Sequence, residues 1–403
     1  MQKRILIIGS GFAGMWSALS AARLLDREGV DTSAAEVALI SPEPRLTIRP
    51  RLYEAGPGTM VAPLQELFNV TGVRYIEGQV ETIDTDAGKI GFVDDSGRQS
   101  TLTYDQLILA AGSHLFRPDI PGLRDHAFSI DQRGEAAAFE AHCHGLARMP
   151  ETVARNTAVV GGGGFTGIEI AAELPARLRS ILGEDAAVRV IVVEKANEIG
   201  PDLGPGPRPV IIQALSELGV ECRLEAAVTA IDADAVTLSN GDRIETNSVV
   251  WTAGLRASAL TAQIPGERDP IGRLHVDRNL QVPSVMNVFA TGDTAYAATD
   301  DQGHHALMSC QHAINLGRSA GNNAAAALLG IPMIPYSQPR YVTGLDLGPW
   351  GAVHTTGWDR KVILTGAESK ARKEYINQVY IYPPKADRTE AFAAADPAKN
   401  LAV

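Results

Sequence analysis

The sequence predicts an α/β fold of two parallel-sheet domains and a small C-terminal segment, on three observations. The chain opens with a buried-strand pattern, a glycine-rich turn and a helical pattern. The same order returns from Thr157. A helix-breaking run, Ile331-Pro332-Met333-Ile334-Pro335, then separates the stretch beyond Gly330 from the rest. A chain of 403 residues suits two cores and an appendage better than one core.

Ile5-Leu6-Ile7-Ile8 is a short apolar run ending at a glycine, as a strand buried on both faces reads. Met15 to Leu25 places Leu19, Ala22 and Leu25 on one helical side, and Val37 to Ile40 is the next buried strand. Strand, turn, helix and strand begin a parallel sheet. In the second copy the strand is Thr157 to Val160, the turn Gly161 to Gly164, the helix Ile168 to Leu182 and the next strand Val188 to Val193. Pro175 lacks an N–H and is expected to kink or split that helix. Val73 to Ile76 and Lys89 to Val93 read as further strands, the latter followed by a turn at Asp94 to Gly97. Arg223 to Leu238 reads as a β-meander turning at Asn240-Gly241-Asp242. Ala391 to Val403 has no periodicity and is expected to be frayed.

A net charge of -11 argues against a nucleic-acid partner, which would need a concentrated basic surface. No apolar run reaches the eighteen or more residues of a membrane span, and the N-terminal run stops at Gly9, too short for a signal peptide. The protein is expected in the cytoplasm, with peripheral attachment to a membrane left open. Cys143, Cys222 and Cys310 lie far apart with no CxxC pair, the pattern of buried thiols in a reducing compartment. No metal is expected: His304, His305 and His312 have no partners at ligand spacing.

Gly9-Ser10-Gly11-Phe12-Ala13-Gly14 matches G-x-G-x-x-G between a strand and a helix. The first glycine permits the tight turn, the second lets backbone approach a pyrophosphate, and the third lets helix pack on strand. The helix N-terminus then offers free N–H groups and positive partial charge. Gly162-Gly163-Gly164-Phe165-Thr166-Gly167 repeats the motif. Its following strand ends at Glu194, where a carboxylate binds a ribose hydroxyl and repels a 2′-phosphate, so Glu194 predicts NADH over NADPH. The first copy has Ser41 at that place, with Glu43 as substitute, and leaves its ribose contact open. These are two Rossmann-like dinucleotide-binding domains, and two nucleotides on one chain suggest a flavin, FAD, as the redox partner of NADH.

With these motifs the chain resembles the two-dinucleotide-domain flavoproteins over nearly its whole length. Tyr104 to Gly112, with Ala111 and Gly112 at its end, resembles the first crossover from the FAD domain. Val249 to Gly254, with Ala253 and Gly254, resembles the return crossover. Asn287 to Asp293 resembles the FAD motif, whose Gly292-Asp293 holds the ribityl chain. Within that superfamily the chain is most similar to type II NADH:quinone oxidoreductases. Arg49-Pro50-Arg51-Leu52-Tyr53-Glu54 resembles their segment under the flavin ring, and it lacks the cysteines of the disulfide-reducing branches. Gln311 and Asn315 fall at i and i+4 on one helix face, where that family has two glutamines near its quinone site. Glu169 matches an acid near the nicotinamide. The helix carrying Gln311 is implied to point its N–H groups at the flavin.

The resemblance implies an FAD-binding domain from 1–116 and 262–330, an NADH-binding domain from 117–261, and a C-terminal segment from 331–403. It further implies a homodimer, with hydride passing from NADH to the flavin and two electrons passing to a quinone-like small molecule. The stretch Glu368 to Tyr382 mixes basic and aromatic residues and suits a membrane-surface contact, a dimer contact or a cover on the domain. Three rivals stay open: a reductase for a small iron–sulfur protein, a dedicated biosynthetic reductase, and a slow NADH-sensing flavoprotein.

Overall fold

The computed structural model describes residues 2–399. Its first sheet has six strands, in the order Gln281–Val282, Val285–Ala290, Gln106–Leu109, Lys3–Ile8, Ala35–Ser41 and Arg74–Glu77. All neighbours are parallel except the outer pair Gln281–Val282 and Val285–Ala290. Lys3–Ile8 lies between two parallel partners, and Ile5 to Ile8 are buried, as the apolar run predicts. A second sheet has five parallel strands in the order Ala127–Phe128, Ser248–Trp251, Thr157–Gly161, Arg189–Val193 and Val220–Arg223. Val220–Arg223 thus closes the parallel sheet, and the meander expected from Arg223 begins only at Val228.

Helix α1 (Phe12–Arg27) follows the first glycine turn and α2 (Phe165–Leu182) the second. Both begin three residues before their hydrophobic pattern does, because the glycine-containing first turn carries no amphipathic signal. Pro175 does not split α2, which runs unbroken to Leu182. Burial of Ile168, Ile170, Ala171, Ala172, Leu174 and Leu178 holds the helix together across the missing hydrogen bond. The chain passes between the two sheets twice, at Ser113–Leu115 and Leu255–Ala257, and these segments pair antiparallel, Ser113 opposite Ala257 and Leu115 opposite Leu255.

Helix α3 (Cys310–Leu329) returns to the first sheet and packs on α1. The chain then forms an antiparallel sheet from Val342–Asp346, Ala352–Thr356 and Lys361–Thr365, followed by helix α4 (Gly366–Tyr375) and a π-turn over Ile376–Tyr380. The expectation of a frayed end from Ala391 is corrected. Arg388–Ala394 is a helix capped by Asp387, and Ala391 and Ala395 are fully buried. Arg388 reaches the Val70 carbonyl and Asp26, and Arg23 pairs with Asp396. A helix of 7 residues docked through small alanines is too short to show a period. Residues 400–403 of the expected frayed stretch lie outside the described residues.

The approach of α3 to α1 is close enough to demand glycine. A Cβ on Gly317 would lie 2.4 Å from the Ala13 carbonyl oxygen, and one on Gly321 would lie 2.1 Å from that of Ser17. Ser17 Oγ donates within its own helix to Ala13 and across to the Gly317 carbonyl. Gly321→Ala is expected to cost about 1–3 kcal/mol in urea unfolding, the range for forcing bulk into a packed contact. Gly145→Ala, whose Cβ would meet nothing within 4 Å, should leave the midpoint nearly unchanged.

Candidate active site

The two glycine turns have the same geometry. Gly9 has φ +105° and Gly162 φ +112°, backbone that L side chains rarely adopt. A Cβ on Gly14 would stand 1.8 Å from the Gly9 oxygen, and one on Gly167 1.9 Å from the Gly162 oxygen. Gly11 and Gly164, by contrast, would meet nothing within 4 Å. The third glycine of each motif is therefore required by packing, and the second faces open space. The first helical bonds run from Met15 to Gly11 and from Ile168 to Gly164. The N–H groups of Phe12, Ala13 and Gly14, and of Phe165, Thr166 and Gly167, are left without helical acceptors and suit a pyrophosphate. Beside the first turn lies a cavity of about 400 Å3 reached by Gly9, Ser41, Gly78, Val80, Ala111 and Ser258.

The strand-end residues differ in the way the sequence suggests. Glu194 is buried; its Oε2 accepts from Gly163 N at 2.7 Å and its Oε1 from Ala196 N at 2.9 Å. The carboxylate is held against the turn with lone pairs left for a ribose. Ser41 is buried at the cavity, and its hydroxyl donates to the Glu43 carbonyl at 2.7 Å. The Glu43 carboxylate points outward to Arg133 at 3.3 Å and Arg45 at 3.8 Å. At the crossovers, Gly112 takes φ +66° and its oxygen accepts from Ser258 N, while Gly254 takes φ +83° and accepts from Phe116 N. Ala253 packs against Gly162.

Asp293, after Gly292 at a strand end, accepts from Ser113 Oγ at 2.6 Å and lies 3.4 Å from Arg49 Nη1. Arg49 also donates to Ser113 and, through Nη2, to Asp131. Pro50 opens the short 3-10 turn that sets Arg49 there. Asp131 was not legible in the sequence: it stands alone after a two-residue strand, with no motif around it.

Where α3 begins, Ser309 caps the helix by accepting from His312 N. Cys310 follows, its thiol pushed up to about 11 by burial, and it feels both Lys373 and Asp293. Gln311 donates to the Val342 carbonyl at 3.2 Å and accepts from Val342 N at 3.5 Å, tying α3 to the C-terminal sheet. Asn315 is buried one turn on, its Oδ1 without a partner among the described residues. His312 is neutral, because burial takes it down to about 3, and His304 pairs with Asp300 and stacks on Trp358.

Glu169 is the carboxyl of the site that its surroundings bring to neutrality. It lies buried on α2, 2.9 Å from Lys373 Nζ, and accepts from Asp346 N at 3.1 Å. Burial pushes its carboxyl up to about 7, Lys373 pulling against this and the Asp346 charge adding to it. Lys373 also donates to the Gly344 carbonyl and lies over the Phe165 ring. Neither Lys373 nor Asp346 carries a sequence signal that points to the site. Both come from the C-terminal segment, nearly two hundred residues from α2.

A dinucleotide cradle repeated at two sheet ends fits a known lineage. The sequence profile of the pyridine nucleotide-disulphide oxidoreductases matches residues 3–317. The chain belongs to that family. It is 43% identical over 397 residues to an NADH dehydrogenase-like protein of Mycobacterium tuberculosis, with 98% of each chain covered. It is 31% identical to a demethylphylloquinone reductase of Synechocystis, covering 87% of this chain and 86% of the relative. In fold it is similar to the NDH2 of Plasmodium falciparum in complex with NADH, at a TM-score of 0.79, 15% identity and 98% coverage of both chains. The resemblance to type II NADH:quinone oxidoreductases therefore holds, and the protein is an FAD- and NADH-using oxidoreductase. Its three cysteines are unpaired, and the expectation of buried thiols is corrected: Cys143 is buried, but Cys310 is half-buried and Cys222, on the edge strand Val220–Arg223, is exposed.

Glu194→Gln, which keeps only one acceptor oxygen, is expected to raise the KM for NADH about tenfold, the value of one charge-assisted hydrogen bond. It should also narrow the preference over NADPH. Steady-state kinetics with both nucleotides checks this, and an unchanged NADH/NADPH ratio would remove Glu194 from the ribose site.

Proposed function

We propose that the protein oxidises NADH and passes two electrons to a quinone or quinone-like small molecule. The observation that carries this reading is the buried Glu169–Lys373 pair, a proton donor poised near neutrality where α2 meets the C-terminal helix α4. Disulfide reduction would require paired thiols, and none stand there. Hydride transfer needs no protein nucleophile, so positioning and proton supply are what side chains contribute.

The N–H groups of Phe12, Ala13 and Gly14 would hold the FAD pyrophosphate, with Ser41 and Glu43 at the ribose end. Asp293, Arg49 and Ser113 would hold the polyol chain, and Ala111, Gly112 and Pro50 would shape the bed beside it. When bound, FAD supplies a centre that accepts hydride and hands electrons on. Phe165, Thr166 and Gly167 would hold the NADH pyrophosphate, Glu194 its ribose, and Ala253 and Gly254 the wall opposite. Glu169 would give a proton to the acceptor oxygen, with Lys373 facing the carboxylate left behind. Gln311 and Asn315 would line the acceptor end.

Tyr375 and Val379, 53% and 58% exposed, lie one turn apart on α4 and the π-turn, and Ile363 is exposed on the last strand. That exposed apolar surface suits a peripheral membrane contact for collecting a lipophilic acceptor, while Lys370 and Lys373 of α4 turn inward to Asp346 and Glu169. Among the described residues no helix is long and apolar enough to cross a membrane. A second reading shares the site: because one relative is a demethylphylloquinone reductase, a single quinone reduced in a biosynthetic step is equally consistent with this chemistry.

Anaerobic stopped-flow tests the proposal: NADH should bleach the flavin rapidly and a soluble benzoquinone should restore its colour rapidly. Bleaching without restoration by any quinone would discard the acceptor class. Because Glu169 must carry its proton, the reoxidation rate should be level below pH 7 and fall about tenfold per pH unit above it. Glu169→Gln should slow reoxidation about 100-fold and abolish that limb. A variant that keeps the wild-type rate and pH profile would exclude Glu169 as the donor.

A further inference from the structure

Two carboxylates meet at the inner end of the C-terminal sheet, and their surroundings differ sharply. Asp346 accepts four hydrogen bonds from three donors: Lys370 Nζ at 2.7 and 2.8 Å on its two oxygens, Tyr53 OH at 2.8 Å, and Gly348 N at 2.8 Å. That is the donor set of a carboxylate anion. Glu169 has only Lys373, which shares its hydrogens with the Gly344 carbonyl, and the N–H of Asp346 itself. The two side chains are 4% and 5% exposed, so little water screens one from the other. A pair of acids held in such unequal surroundings divides the roles of fixed charge and proton carrier.

We infer that Asp346 is a positioning residue whose fixed negative charge, pinned by Lys370 and Tyr53, keeps a proton on Glu169 until the acceptor takes it. The inference rests on the proposed acceptor reaction. Reduction of a quinone to a quinol consumes two electrons and two protons. NADH delivers the electron pair with one hydrogen, as hydride, so one further proton is needed. The O–H bond of Glu169 breaks and a bond to the acceptor oxygen forms, leaving a carboxylate 2.9 Å from Lys373 Nζ, and solvent returns the proton afterwards. Burial is the larger hold on that proton and Lys373 pulls against it, so the Asp346 charge is what counters Lys373.

Other charged groups face this pair. Glu173, one turn along α2, touches Lys370 at 3.3 Å. Arg177 acts on Glu173 and donates to the Tyr53 carbonyl. Arg51 and Glu54 pair with each other beside Tyr53. The three units of the fold all contribute: Tyr53 from the first, α2 from the second, and Asp346, Lys370 and Lys373 from the C-terminal segment. The proton on Glu169 therefore depends on the three being docked together.

The test uses the FAD-loaded full chain and two readouts. Infrared titration follows the carboxylic C=O band that disappears in Glu169→Gln, and stopped-flow follows reoxidation by a soluble benzoquinone across the neutral range. Asp346→Asn removes the fixed charge and should lower both the band's midpoint and the alkaline limb by about one pH unit. Lys370→Gln leaves Asp346 unshielded and should move both upward. Midpoints that stay put, or that move the same way in both variants, overturn the inference. Should Asp346→Asn fail to fold, Lys370→Gln decides alone, an upward shift supporting the idea and no shift or a downward one refuting it. A wild-type enzyme that never reduces a quinone would fail the acceptor reading, while the infrared midpoints would still judge Asp346.

Discussion

The contact on which the rest of the molecule depends is the glycine-to-backbone approach of α3 to α1. Gly317 and Gly321 let α3 lie against the carbonyls of Ala13 and Ser17, and the same stretch of α1 carries the first pyrophosphate cradle. The other end of α3 presents Cys310 and Gln311 to the C-terminal sheet. One helix thus ties the first glycine turn to the C-terminal sheet, whose strand Val342–Asp346 ends beside Glu169. Side chains larger than hydrogen at either glycine would separate the helices, and the two ends of α3 would lose their common register.

Much of this arrangement was legible in the sequence, for reasons that lie in backbone physics. A strand, a glycine turn and a helix make one local pattern, so both turns and the strand-end position of Glu194 could be placed from it alone. The Asp293 motif and the crossovers were recognisable for the same reason, each being a short stretch with a fixed job. What escaped were contacts made over long sequence distance by residues with no motif. Asp131, Lys373, Asp346 and Tyr53 acquire their meaning only when separate elements dock. Helix Arg388–Ala394 escaped because two alanines bury it. Gln311 and Asn315 were placed on one helix face, yet the fold gives them different surroundings, one bonded to Val342 backbone and one buried with its Oδ1 unpartnered among the described residues.

The site divides labour between elements of different rigidity. Pyrophosphate cradles rest on sheet ends and helix starts, where the backbone is over-determined. Proton chemistry rests on side chains drawn from three units, where docking sets the electrostatics. A change in how the C-terminal sheet sits would alter the charge state of Glu169 before it altered nucleotide binding.

The antiparallel ribbon formed by Ser113–Leu115 and Leu255–Ala257 has a consequence for how such a chain is assembled. The segment between these strands leaves the first sheet and re-enters it at adjacent register positions, Ser113 beside Ala257. It is therefore an insert with its two ends clasped, held to its host beyond the clasp by side-chain contacts such as Arg49–Asp131 and Lys373–Glu169. The host's chain path would be almost undisturbed if the insert were exchanged for another of equal span. The contacts that Glu169 makes with Lys373 and Asp131 with Arg49 would then have to be rebuilt from the new insert's own side chains.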